Sequence, residues 1–137
     1  MTFELHAQLD ADTVDVHQLD LCRVLLMDDA TYPWLILVPA RPGLRDLHDI
    51  SPDEDALLMA EVRQTNLTLQ ALHRPDKINV AALGNQVPQL HIHVIARFTD
   101  DPAWPGPVWG KAPRQPYGDA ERVAVVDAFR QALENTL

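Results

Sequence analysis

Pro88-Gln89-Leu90-His91-Ile92-His93-Val94-Ile95 places a carboxamide and two imidazoles at alternate positions of an otherwise apolar run. If the run is extended, Gln89, His91 and His93 project to one side while Leu90, Ile92 and Val94 turn to the core, because successive side chains of a strand point to opposite faces. Imidazole is the side chain whose proton affinity lies nearest neutral pH. A pair two residues apart can therefore offer one ring as nucleophile and the other as hydrogen-bond donor. Two blander readings of a bare His-x-His stay open at this level. The pair can be exposed or simply satisfied by its neighbours, or it can be half of a metal site, which would need His48, His6 or an acid from elsewhere to complete it.

The elements that must hold this motif can be read on either side of it. Leu21 to Met27 is a branched, apolar strand stopped by Asp28-Asp29, and Trp34-Leu35-Ile36-Leu37-Val38 is a second strand, apolar throughout and closed by Pro39. The connection is short, so the two form an antiparallel hairpin, the second strand being buried on both faces. Ser51-Pro52-Asp53-Glu54 combines a hydroxyl N-cap, a first-turn proline and two acids, which predicts a helix start. Leu58, Val62, Thr65, Leu69 and Leu72 give this long helix one apolar face until Arg74-Pro75 ends it. Ile78, Val80 and Ala82 predict a third strand running to Gly84, and Gln89 to Phe98 a fourth. Phe3, Leu5, Ala7 and Leu9 alternate as a further strand would, with Asp10–Asp15 as a turn. After Gly118, Asp119 caps a last helix on which Val123, Val126, Phe129 and Leu133 share a face. The segment Asp100–Pro116 holds five of the eleven prolines and two of the three tryptophans, which predicts an ordered, docked loop without regular structure. The sum is an α+β domain with a central antiparallel sheet of about five strands, a long helix and a C-terminal helix.

Bulk properties narrow the function. The chain has 137 residues, 47% of them hydrophobic, which suits one domain, residues 1–137, with a single core. A net charge of −9 disfavours a long basic surface for nucleic acid, but leaves room for a small phosphorylated substrate held by a few local donors. No apolar run is long enough to span a bilayer and no leader pattern opens the chain, so a soluble, cytoplasmic protein is expected. One cysteine, Cys22, sits in an apolar strand and reads as a buried core thiol. Without a CxxC or Cys/His cluster there is little support for structural zinc. The absence of GxxxxGK[ST] excludes a P-loop mechanism.

Asn79-Val80-Ala81-Ala82-Leu83-Gly84-Asn85-Gln86-Val87-Pro88-Gln89-Leu90-His91-Ile92-His93-Val94-Ile95-Ala96-Arg97 resembles the histidine triad superfamily, whose signature His-φ-His-φ-His-φ-φ follows a Gly/Gln-containing turn. The resemblance extends to the hairpin Leu25–Pro39, the helix beginning at Ser51 and the Trp104-Pro105 element after the motif. It implies that the second motif position, His91, attacks the α-phosphate of a nucleotide to form a covalent nucleotidyl-histidine, which water or another acceptor resolves. It further implies that His93 stabilises charge or the leaving group, and that Gln86 and Asn85 lie near the phosphate. An acid at the end of the first hairpin strand would take the ribose hydroxyls; Asp28 fits best, with Asp29 the alternative. The resemblance also implies a homodimer joined through the long helix and a sheet edge. No metal or other cofactor is needed for this chemistry.

The departure is Gln89 at the first motif position, where a carboxamide can hydrogen-bond but not titrate, and where it is expected to bind substrate alongside Asn85 and Gln86. It does not match the galactose-1-phosphate uridylyltransferase branch either, whose glutamine stands at the third position. Three readings follow: a nucleotide hydrolase or nucleotidyl transferase, a nucleotide-binding or regulatory module with little turnover, and a metal-dependent enzyme using His91 and His93. The first requires His91 to be neutral, with one nitrogen bare and the other held by an acceptor such as a backbone carbonyl. His93, Gln86 and backbone N–H groups near 84–87 are then the donors for the developing charge. His6, His17, His48 and His73 read as surface residues, and Arg97 as a phosphate contact or a surface ion pair. Trp104 and Trp109 read as cover for the site or as anchors of the proline-rich loop.

Overall fold

The computed structural model describes residues 1–136. Five strands, β1 (Thr13–Gln18), β2 (Cys22–Met27), β3 (Trp34–Pro39), β4 (Lys77–Ala81) and β5 (Ile92–Arg97), form one antiparallel sheet in the order β1-β2-β3-β5-β4. Three helices, α1 (Ala7–Asp12), α2 (Asp55–His73) and α3 (Asp119–Asn135), complete an α+β fold of the expected class. Among the described residues no helix is long and apolar enough to cross a membrane.

The sheet is covered on both faces, which is why β3 and β5 are buried along their whole length. One face meets the helices: Leu35, Leu37, Leu90, Ile92, Val94 and Ala96 pack with Leu58 and Leu69 of α2 and Val126, Phe129 and Leu133 of α3. On the other face Leu25, Trp34, Ile36, Val38 and Ile95 are covered by Leu9 from α1 and by Ala103 and Val108 of the proline-rich loop. That loop is ordered and docked, as its composition predicts. Arg74, in the left-handed conformation at φ 47°, ends α2 at the predicted place.

Several boundaries differ from the sequence expectation. The alternation of Phe3, Leu5 and Leu9 does not mark a strand. Phe3 and Leu5 pack against the second core without joining the sheet, and Leu9 lies in the one short helix that follows. The fifth strand is instead Thr13–Gln18, drawn partly from the segment read as a turn. It is an edge strand, where Asp15 stays exposed and pairs with Arg23 of β2 at 3.0 Å. β4 stops at Ala81, and β5 starts at Ile92, so Gln89 to His91 approach the sheet as irregular chain. Ser51 makes no side-chain cap; Pro52–Glu54 form a 3-10 turn and α2 proper begins at Asp55. Leu72 and Val123 are exposed, so each helix buries a narrower face than its pattern suggests. On α2 much of the buried face is polar. Glu61 accepts from the backbone N–H groups of Leu21 and Cys22 at 2.9 and 2.8 Å, and Gln64 donates to the Leu133 carbonyl at 2.9 Å.

Candidate active site

His91 and His93 emerge on the sheet face opposite α2 and α3, while Leu90, Ile92 and Val94 enter the helix-side core. The alternation is retained although the regular strand starts only at Ile92. Both rings are buried, at 7% and 5% exposure, with centroids 5.0 Å apart and planes at 70°.

Their hydrogen bonds fix opposite tautomers. His91 Nδ1 lies 2.7 Å from the Gln89 carbonyl oxygen, which can only accept, so Nδ1 carries a proton and in the neutral ring Nε2 is bare. His93 Nδ1 accepts from the Trp34 indole N–H at 3.0 Å, so in the neutral ring the proton sits on Nε2. Burial, and secondarily the neighbouring His91, push the His93 pKa down to about 4. His93 is thus a neutral donor at physiological pH. One imidazole presents a lone pair and the other an N–H.

An aromatic wall holds them. Trp109 of the proline-rich loop stands edge-on to both His93 and Trp34, with centroids 5.0 and 5.9 Å away. The loop is anchored by Arg97, which is neither a phosphate contact nor a surface pair. Its side chain is 2% exposed and grips Asp101, with Nε to Oδ2 at 2.8 Å, the Asn79 carboxamide and the Gly106 carbonyl. Asp101 in turn accepts from the N–H groups of Phe98, Ala103 and Trp104.

The histidines open on a cavity of about 330 Å³, within the range of small-ligand sites. Leu9 and Met27 form part of its apolar wall, and Asn85 and Gln86 its rim. Gly84, at φ 75°, turns the chain there in a conformation that favours glycine. Among the described residues, nothing accepts from the backbone N–H groups of Asn85, Gln86 and Val87. They remain available to an anion. Of the residues predicted from sequence, His91, His93, Asn85 and Gln86 are therefore brought together. A second, smaller cavity meets the first at Leu83, Gly84 and His91, and is lined on its far side by Arg45, Asp46 and His48.

Asp28, Asp29 and Gln89 do not line the main cavity. The Asp28 carboxylate accepts from Tyr117 N–H at 3.0 Å and faces Arg122 at 3.3 Å. Buried Asp29 accepts from the N–H groups of Thr31 and Gln115. Both acids tie the end of the loop to the hairpin. The carboxylate that does line the cavity is Asp12, at the end of α1, hydrogen-bonded by Gln8 and 3.6 Å from Arg114. Sequence reasoning missed Asp12 because it sits among three acids read as a turn. Trp34, read only as core, gave no sign of its indole donor. His6 is half-buried and caps α1 by accepting from Gln8 N–H. Among the described residues, the group of three close metal-competent side chains is exposed Asp46, His48 and Asp49, which includes neither motif histidine.

The family model for the HIT domain matches residues 8–100. The chain is similar to the structure of a histidine triad protein from Marinobacter aquaeolei VT8, with 44% identity, full coverage of both chains and a TM-score of 0.95. It is also similar to one from Bradyrhizobium japonicum, with 42% identity, 97% and 99% coverage and a TM-score of 0.94. A hypothetical histidine triad nucleotide-binding protein from Sulfolobus tokodaii, at 16% identity, 93% and 88% coverage and a TM-score of 0.70, shares the fold. No curated protein matches the chain.

Proposed function

Since the chain belongs to the histidine triad family, we propose that it is a nucleotide hydrolase or nucleotidyl transferase with His91 as nucleophile. The observation that carries this reading is the pair of opposite tautomers. In the neutral His91 ring Nε2 is the free nitrogen, since the Gln89 carbonyl holds Nδ1–H, and His93 keeps an N–H because Trp34 occupies its other nitrogen.

The lone pair of His91 Nε2 attacks the α-phosphorus, and the bond from phosphorus to the leaving group breaks. The leaving group departs with that electron pair and takes up a proton from solvent. The ring of the nucleotidyl-histidine is then cationic, and its Nδ1–H donates to the Gln89 carbonyl more strongly than before. His93 Nε2–H and the N–H groups of Asn85, Gln86 and Val87 meet the charge on the phosphoryl oxygens. Water attacks next, the P–Nε2 bond breaks, a nucleoside monophosphate and a proton are released, and His91 returns to its starting form. In transfer, another nucleophile takes the place of water. Asp12 supplies the carboxylate for the sugar hydroxyls, the role that the resemblance gives to Asp28, because Asp12 lines the cavity and Asp28 does not. Gln89 lies outside the cavity, and its backbone carbonyl acts through His91.

The direct test is capture of the adduct. Protein incubated with dinucleoside polyphosphates or adenosine phosphoramidate is denatured in alkali, where P–N bonds survive. Mass spectrometry should then find one nucleotidyl group on the peptide containing His91. Turnover of these substrates with no such adduct under rapid quench would remove the covalent route. Chelation should leave turnover unchanged; metal-dependent turnover would favour the reading in which His91 and His93 are ligands.

The protein is further read as a homodimer. β4 is a sheet edge, and beside it lies a groove of about 370 Å³ walled by Leu58, Met59 and Val62 of α2 and by Val80 and Ala82. Met59 and Val80 are 67% and 48% exposed, and an unpaired edge next to an apolar helix face fits a second copy of the same surface. Light scattering should give twice the chain mass, and Met59→Glu combined with Val80→Asp should give the monomer. A wild-type monomer at high micromolar concentration would overturn this.

A further inference from the structure

We propose that Gln89 is a positioning residue whose carboxamide straps the N-terminal segment into the wall of the main cavity and so sets nucleotide affinity from outside it. The inference rests on the nucleotide reading above for the identity of the ligand, but the strap itself is read from geometry alone.

Gln89 Oε1 accepts from the His6 backbone N–H at 2.8 Å, and Gln89 Nε2 donates to the Glu4 carbonyl at 2.8 Å. A carboxamide carries one acceptor and a donor group side by side, and here they engage a backbone N–H and C=O two residues apart. Immediately after this clasp the His6 ring caps α1, and α1 delivers buried Leu9 and Asp12 to the cavity. A helix of six residues does not hold itself together in water, so its place depends on anchors. Phe3 and Leu5 supply apolar anchorage, which is non-directional and leaves the register of the segment loose. The two hydrogen bonds of Gln89 fix that register. A histidine here would offer one donor and one acceptor on divergent ring positions, and when protonated no acceptor at all for His6 N–H. The same residue, through its carbonyl, holds the tautomer of His91. Its backbone thus serves the nucleophile and its side chain serves the opposite wall.

The test uses the full chain, hydrogen exchange of backbone amides 4–12, and steady-state kinetics with a dinucleoside polyphosphate. Gln89→Ala and Gln89→His should both speed exchange across this segment and raise KM about tenfold, with kcat within about threefold, the scale expected for losing one or two hydrogen bonds. His6→Pro should do the same, because φ at His6 is −56° and proline fits it while removing the N–H; it also removes the ring that caps Gln8 N–H, a loss that His6→Ala measures by itself. His6→Ala keeps that N–H and should stay near wild type in KM. The double variant Gln89→Ala with His6→Pro should be no worse than Gln89→Ala with His6→Ala, since without the carboxamide the His6 N–H has no clasp left to lose. Unchanged exchange in Gln89→Ala, a further loss in the double variant with His6→Pro beyond that with His6→Ala, or a fall in kcat at constant KM would each overturn the proposal. Exchange is read without substrate. A loosened segment in a protein that binds no nucleotide would therefore sink the nucleotide reading and this control of affinity together, whereas normal turnover with unchanged exchange would sink the strap alone.

Discussion

Replacing His91 with alanine should lower the rate of nucleotidyl-bond cleavage by 10⁴-fold to 10⁶-fold, on the order of what removing a covalent nucleophile costs elsewhere. The size separates the roles of the two histidines. His93, as a neutral donor to developing charge, is worth on the order of 10²-fold to 10³-fold when removed, so His93→Ala should be the milder variant. The expected ranking follows from the hydrogen bonds. His91 alone has a bare nitrogen, whereas His93 has its acceptor position filled by Trp34. His91→Ala should still bind nucleotide, because the N–H groups of residues 85–87 and Asp12 are untouched. Residual activity within tenfold of wild type would exclude His91 as nucleophile. Wild-type activity already as low as that of the variant would mark a binding module instead. Thermal melting of both proteins guards against loss of fold, since His91 is 7% exposed.

How far this site was legible in the sequence depends on which force places each residue. His91 and His93 were legible because a period of two, alternating with Leu90, Ile92 and Val94, is a local consequence of extended chain. β3 was legible because six consecutive apolar residues have no other stable place than between two covered faces. Asp12 was not, because a polar residue in a short helix is placed by tertiary anchors, here Gln89 some eighty residues away. Gln89 reads in the sequence as a departure from the motif that can still hydrogen-bond to substrate, since its partners are backbone atoms of Glu4 and His6 that no side-chain pattern announces. Asp28 sat at the expected end of a strand, but its direction was decided by Arg122 and Tyr117 from a distant element. Arg97 shows the same limit. An arginine ending a strand usually reaches water, and this one is buried because Asp101 and a tightly turned loop close over it.

That burial makes Arg97 the position with the largest expected effect on stability. Its guanidinium lies 5.7 Å from the Tyr32 ring centroid and 6.0 Å from that of Trp104, and its partner Asp101 is 5% exposed at the side chain. Arg97→Met keeps much of the volume but leaves Asp101 buried without its cation, a change that costs about 3–5 kcal/mol and lowers Tm on the order of 10 °C. The hydrogen bonds from Arg97, foremost, hold the Asp101 pKa down to about 2 from an ordinary 3.8. A depressed carboxyl contributes stability that is fully present above its unfolded value and is lost as pH falls through its folded one. The wild type should therefore lose this contribution between about pH 4 and pH 2, and the two proteins should converge in stability near pH 2 while differing most at neutral pH. Arg97→Met combined with Asp101→Asn should recover part of the loss, because no uncompensated charge remains. A gap between wild type and Arg97→Met that stayed constant from pH 7 to pH 2 would mean that packing against Tyr32 and Trp104, and not the ion pair, anchors the loop. The consequence reaches the chemistry, because this loop carries Trp109 onto His93. In Arg97→Met a loosened Trp109 readmits water to the rings, so His93 becomes easier to protonate and its N–H donor less fixed in direction.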